Sequence, residues 1–146
     1  MAEDLVAADI RVAKTLPSKF YFEDEIFKSL KSIFNSWQFA FHDSEMSTNS
    51  IIPLDHIEAI TGEPTIIVSG DKTQCLSNIC THRGMRLTSQ PCTKSILQCE
   101  YHGRTFDLDG KMKHMPEFEQ AIGFPSESDN LRNFPMLRWN GLHFVS

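Results

Sequence analysis

The sequence has no basic excess, no long apolar run, no basic leader and few cysteines. Its 14 Lys and Arg stand against 19 Asp and Glu in 146 residues, a formal net charge of -5. That balance gives no general attraction to phosphate, so nucleic-acid binding through bulk charge is disfavoured. No apolar stretch approaches the roughly 20 residues that cross a bilayer, so no membrane span is expected. The opening residues, Met1-Ala2-Glu3-Asp4-Leu5-Val6, are acidic where a secretory leader is basic, and no hydrophobic stretch follows them. A cytoplasmic location is the expectation. Four cysteines in such a chain point to metal ligands or thiols rather than a disulfide framework. No internal repeat, low-complexity tract or linker stands out.

Apolar residues make up 40% of the chain, and Phe alone supplies 11. That is enough for a hydrophobic core and excludes wholesale disorder, and the length fits one domain with a short appendage. Residues 1–19 are mixed in character, and Pro17 closes them. Over 23–36, Ile26, Phe27, Leu30, Ile33 and Phe34 recur at spacings of three and four. This predicts an amphipathic helix packed on a core or a neighbouring domain, with Glu23, Asp24 and Glu25 at its positive end. Beyond Asn35 the texture becomes strand-like. Trp37-Gln38-Phe39-Ala40-Phe41 alternates with period two, Thr65-Ile66-Ile67-Val68 precedes the turn Ser69-Gly70-Asp71-Lys72, and Ile96-Leu97-Gln98-Cys99 is a further candidate. Arg104-Thr105-Phe106-Asp107-Leu108 runs into the hairpin turn Asp109-Gly110, and Leu142-His143-Phe144-Val145 is the last strand. The expectation is an all-β sandwich or barrel of short strands, residues 37–146, behind an N-terminal extension and helix, residues 1–36.

The chemistry concentrates in Cys80-Thr81-His82 and Cys99-Glu100-Tyr101-His102. Each segment offers one thiolate and one imidazole, and a glycine follows each, Gly84 and Gly103. Two such hooks suit either one tetrahedral metal or two metals. A structural zinc finger usually pairs Cys with Cys and His with His. The mixed pairing here suits a two-iron cluster in which both cysteines grip one iron and both histidines the other. The glycines let the backbone turn tightly and bring N–H groups towards bridging sulfides.

Cys80-Thr81-His82-Arg83-Gly84-Met85 with Cys99-Glu100-Tyr101-His102-Gly103 resembles the Rieske 2Fe-2S motif, in the form found at the N-terminus of ring-hydroxylating oxygenase α subunits. The likeness extends through Leu16-Pro17-Ser18-Lys19-Phe20-Tyr21, Trp37-Gln38 and Thr105-Phe106-Asp107-Leu108-Asp109-Gly110 to Pro116-Glu117-Phe118. It implies a Rieske-type antiparallel sandwich with two cluster-binding loops. Cys80 and Cys99 would bind the buried iron, and His82 and His102 the outer iron. The implied function is one-electron transfer, with a ferredoxin or flavin reductase as donor and a catalytic domain or oxygenase subunit as acceptor. A self-standing Rieske ferredoxin is the alternative, and a zinc-stabilised binding module is a third class.

Departures from the family pattern refine this expectation. Respiratory Rieske proteins carry an extra cysteine in each loop, where this chain has Met85 and Tyr101. They also carry a serine after the second His-Gly, where this chain has Arg104; the oxygenases usually have Trp there. Fewer donors to the cluster imply a reduction potential in the lower part of the Rieske range. The oxygenases hold a mononuclear Fe(II) through closely spaced histidines in a separate catalytic domain. The six histidines here, at 42, 56, 82, 102, 114 and 143, include no such pair. His114 and His143 with Glu117 or Asp107 are not expected to build a substitute, so the chain should not hydroxylate alone. It reads as an N-terminal piece of a longer subunit or as a short natural protein. Cys75 and Cys92 lie outside the motif and are expected to be small buried or free thiols. Arg83, Arg86, Lys94 and Arg104 face only Glu100 in the loops. They either balance the cluster charge or pair with nearby carboxylates, or else form a rim that docks an acidic electron donor.

Overall fold

A computed structural model describes residues 7–30 and 36–146. The chain divides into two compact units, Met1–Ser36 and Trp37–Ser146. In the first, α1 (Lys19–Phe22) and α2 (Asp24–Leu30) are separated by Glu23, whose extended backbone (φ -88°, ψ 120°) ends the first turn. The predicted helix over 23–36 is therefore shorter at its start, and its continuation over 31–35 lies outside the described residues. No residue of α2 is buried, and Phe27 is 61% exposed.

The second unit is mainly antiparallel β, with one short α-helix. Its elements in order are β1 (Gln38–His42), β2 (Ser50–Pro53), α3 (Asp55–Thr61), β3 (Thr65–Ser69), β4 (Thr73–Ser77), β5 (Cys92–Thr93) and β6 (Leu97–Gln98). They continue with β7 (Thr105–Phe106), β8 (Met112–His114), β9 (Asn133–Phe134), β10 (Met136–Trp139) and β11 (Leu142–Val145). Among the described residues these form three sheets, ordered β1-β11-β10, β5-β2-β3-β4-β9 and β6-β7-β8.

The apolar run Ile66-Ile67-Val68 makes β3 the central strand, with 0% exposure at all three residues. A strand with no polar face needs cover on both sides. Ile66 and Val68 pack with Ile51, Leu76, Leu97, Phe106 and Leu131 in one core, and Ile67 packs with Phe41, Leu54, Ile57, Cys75 and Val145 in the other. Burying each of the larger side chains contributes about 1.5–3 kcal/mol before entropy is counted. Cys80 and Cys99 belong to the first core, so the two motif cysteines rise from its floor.

The five predicted strands are all present: β11 as read, β3 one residue longer, β1 shifted by one, and β6 and β7 trimmed to two residues each. Arg104 and Leu108 fall outside β7, because Arg104 turns into the second motif loop and Asp107 opens the Asp109-Gly110 turn.

Candidate metal centre

The two motif loops close in the same way. In the first, between β4 and β5, the Cys80 N–H donates to the Met85 carbonyl (2.8 Å) and the Gly84 N–H to the Cys80 carbonyl (3.1 Å). In the second, between β6 and β7, the Cys99 N–H donates to the Arg104 carbonyl (2.8 Å) and the Gly103 N–H to the Cys99 carbonyl (3.0 Å). Each loop thus runs five residues from cysteine to glycine, with histidine third in one and fourth in the other. Gly84 and Gly103 have φ of +72° and +75°, a region that side chains disfavour. At Gly103 a Cβ would also stand 3.2 Å from Pro116 Cγ.

The loops bring all four sequence-predicted residues into neighbouring positions. Cys80 and Cys99 are each 2% exposed. Burial pushes the Cys80 thiol up, the adjacent Cys99 adds to this, and the His82 backbone N–H at its sulfur opposes it. A thiolate there calls for a cation. The rings of His82 and His102 meet edge to face at 4.7 Å. Burial holds His82 below the usual imidazole range, and the charges around His102, Arg104 and Arg83 push the same way. Nδ1 of His82 and Nδ1 of His102 are both buried without a hydrogen-bond partner. Two desolvated ring nitrogens with no hydrogen-bond partner are costly unless they bind metal. Among the described residues, no three His, Cys, Asp or Glu side chains close on a single ion. The donors come instead as a sulfur pair and a nitrogen pair, a set that fits a binuclear centre better than one tetrahedral ion.

Asn78, which the sequence did not single out, and the aromatic rings of Tyr101 and Phe118 frame the loops. Asn78, 0% exposed, anchors the first loop: its Nδ2 donates to the Thr88 carbonyl (2.8 Å) and its Oδ1 accepts from the Thr88 N–H (3.0 Å). The Tyr101 ring lies 3.7 Å from that of His102, and Phe118 stands edge-on to His82 at 6.0 Å.

Of the four loop cations, two pair with carboxylates, as one of the two readings of the sequence has it. Arg86 forms a two-pronged ion pair with Glu58, one contact at 2.8 Å, and Arg104 is 3% exposed beside Asp129. Arg83 and Lys94 remain exposed.

His143 and His114 stand on different sheets, on β11 and β8. His143 is buried and its Nε2 meets Asp43 Oδ1 at 2.6 Å, whereas His114 is exposed on β8. Asp107 Oδ1 accepts the N–H groups of Asp109 and Lys111 and so closes its own turn. Cys75 and Cys92 are free thiols. Among the described residues, no helix is long and apolar enough to cross a membrane.

An antiparallel β domain that raises two buried thiols and two imidazoles on matched loops falls in the class of metal-centre proteins. The Rieske [2Fe-2S] domain family matches residues 36–135, and the chain belongs to that family, with a 2Fe-2S cluster as its cofactor. It is 30% identical over 145 residues to the carnitine monooxygenase oxygenase subunit of Escherichia coli K12, covering 95% of this chain and 38% of that protein. It is 32% identical over 138 residues to the glycine betaine monooxygenase oxygenase subunit of Chromohalobacter salexigens, covering 90% of this chain and 30% of the relative. A crystal structure of a quaternary ammonium Rieske monooxygenase with a bound inhibitor superposes with a TM-score of 0.79 at 27% identity, over 91% of this chain and 38% of that one. The chain thus spans little more than a third of the carnitine monooxygenase subunit, within its N-terminal part.

Proposed function

We propose that Cys80 and Cys99 hold one iron of the cluster through their sulfurs, that His82 and His102 hold the other through Nδ1, and that the chain serves as an electron relay. The observation that carries this reading is the pair of buried, partnerless Nδ1 atoms beside the paired buried thiols. When bound, the cluster accepts and releases one electron. The residues of this chain supply the rest. The Cys80 and Cys99 loops hold the sulfurs in the core, and His82 and His102 stand nearer the surface, where an imidazole edge gives an electron a short way in or out. Neutral imidazoles in place of two thiolates remove negative charge and make the reduced state less costly.

In this reading the donor is a ferredoxin or flavin reductase, and the acceptor is a mononuclear iron site in an oxygenase subunit. Support comes from the relatives, which are oxygenase subunits, and from one solved quaternary ammonium Rieske monooxygenase described in terms of inter-subunit electron transfer. Residues 37–146 would form the cluster domain and 1–36 an extension of it.

The test is spectroscopic. Loaded protein should contain two irons and two acid-labile sulfides per chain, and its reduced form should show nitrogen hyperfine coupling in pulsed EPR. Cys80→Ser should abolish the cluster, and His82→Ala and His102→Ala should each lose the cluster or part of the nitrogen coupling. A chain cut to 37–146 should keep the wild-type spectrum. A single zinc per chain, or nitrogen coupling untouched in both histidine variants, would overturn the assignment.

A further inference from the structure

Arg104 follows Gly103 at the end of the second loop, yet its side chain is 3% exposed, deep for a permanent cation. Its Nη1 donates to Thr81 Oγ1 at 2.8 Å and to Asp129 Oδ1 at 3.2 Å. Thr81 lies between Cys80 and His82, and its own hydroxyl donates to the Asp129 carbonyl at 2.7 Å. The guanidinium carbon stands 5.3 Å from the centre of the Phe124 ring. Asp129 is itself fixed, because its Oδ2 accepts from the Ser126 N–H (2.8 Å) and the Ser126 hydroxyl (2.9 Å). A side chain from one loop is therefore fastened to the other and to the short 3-10 turn Glu127–Asp129. Arg104 Nε remains buried with no acceptor, the third partnerless nitrogen of the two loops after the Nδ1 atoms of His82 and His102.

Fastening alone does not call for a charge. A buried ion pair stabilises a fold little more than apolar packing of the same shape, and the orphaned Nε counts against it. The two ends of the pair are also unequal: the Arg104 side chain is 3% exposed and that of Asp129 is 19%. Water therefore screens the carboxylate more than the guanidinium, and a net positive field remains at the loops. Thr81 ties the guanidinium to the backbone between Cys80 and His82, so the field acts where those two side chains are held. An electron added to a group held by these residues meets the same field.

We propose that the Arg104–Asp129 pair sets the reduction potential of the cluster, Arg104 raising it and Asp129 lowering it. This rests on the ligand assignment made above. Because Arg104 acts through the charge it places beside Thr81 and the loops, it is a tuning and positioning residue.

The experiment is an equilibrium redox titration of the loaded full-length chain, with dithionite as electron source and mediator dyes, followed by EPR and visible circular dichroism. Iron content and Tm are measured in parallel. At a fixed solution potential, Arg104→Gln should lower the ratio of reduced to oxidised protein about tenfold, which is about 59 mV for a one-electron couple. Asp129→Asn should raise the ratio by a smaller factor, about threefold, and Arg104→Lys should stay within about threefold of wild type. Shifts of opposite sign are the signature, since a purely structural fastening predicts the same loss from either neutral variant. If Arg104→Gln loses its cluster, Asp129→Asn decides: an upward shift supports the proposal and an unchanged potential overturns it. Loaded variants with wild-type potentials overturn this inference alone. Wild-type protein lacking iron and sulfide overturns the ligand assignment and this inference with it.

Discussion

Cys75 and Cys92 show how burial separates two thiols of one chain. Cys75 sits at 0% exposure on β4, and burial pushes its thiol up to about 12. Cys92 is half-buried on β5. The thiolate is the reactive form, so a shift of about three units from an ordinary thiol leaves roughly 10³-fold less nucleophile at neutral pH. In loaded protein, iodoacetamide should modify Cys92 first, and Cys75 should react only as fast as the fold opens. Peptide mass spectrometry over a time course reads this directly, and equal labelling of the two would refute it. That both were thiols outside the motif was legible from spacing, but which one lies in the core was not. The four motif residues were legible because their chemistry is local, two side chains on each short loop. The fates of Arg86 and Arg104 were hidden because their partners, Glu58 and Asp129, lie 28 and 25 residues away in the chain.

At the scale of elements, the sheet β1-β11-β10 carries a cross-strand charge group. Phe41 and Arg138 both lie in register with His143, whose ring stacks on Phe41 at 4.2 Å. Asp43, just past β1, accepts on Oδ1 from His143 Nε2 (2.6 Å) and Arg138 Nε (3.2 Å), and on Oδ2 from Arg138 Nη2. Arg138 above all, with His143 second, holds the Asp43 carboxyl well below the usual carboxylate range. A depressed carboxylate stabilises the fold above its unfolded-state value, about pH 4, and that contribution is lost as pH falls towards the folded value. Glu58, through Arg86, and Asp129, chiefly through the Ser126 N–H, shift in the same direction. Urea midpoints should therefore be level above about pH 5 and fall below about pH 4, and Asp43→Asn should make the acid limb shallower. An unchanged limb in that variant would show that Asp43 contributes nothing to it.

The same sheet marks the limit of reading strands from pattern. β11 was legible and β10 was not, although Asn140-Gly141 between them is a strong hairpin signal, with φ of +48° and +84°. Met136-Leu137-Arg138-Trp139 does not alternate cleanly, because Leu137 and Trp139 are exposed apolar residues. β5 and β9 have two residues each, too few to hold a period, and exist only because β2 and β4 recruit them as edge partners.

For the whole molecule in its proposed role as an electron relay, charge would contribute little to steering a donor. The sequence left two readings of the loop cations, and the structure divides them. Arg86 and Arg104 pair internally, leaving exposed Arg83 and Lys94 against exposed Glu100 in a chain of net charge -5. A local excess of about one positive charge is screened within about 8 Å at physiological salt, too little for strong steering. What remains at the His82 and His102 end is apolar and aromatic: Met85 is 43% exposed and Tyr101 57%. A donor ferredoxin or reductase would then be recognised there by shape and apolar contact, with charge a minor contributor to its encounter rate. Stopped-flow reduction of the loaded chain should accordingly slow by less than about threefold between 50 and 500 mM salt, and Arg83→Gln should change the rate constant by less than about twofold. Replacing exposed Tyr101 by Ser should cost more than removing the Arg83 charge, because the contact surface rather than the approach is what it alters. A rate that drops steeply with salt, and loses that dependence in Arg83→Gln, would restore the docking rim in place of this apolar contact.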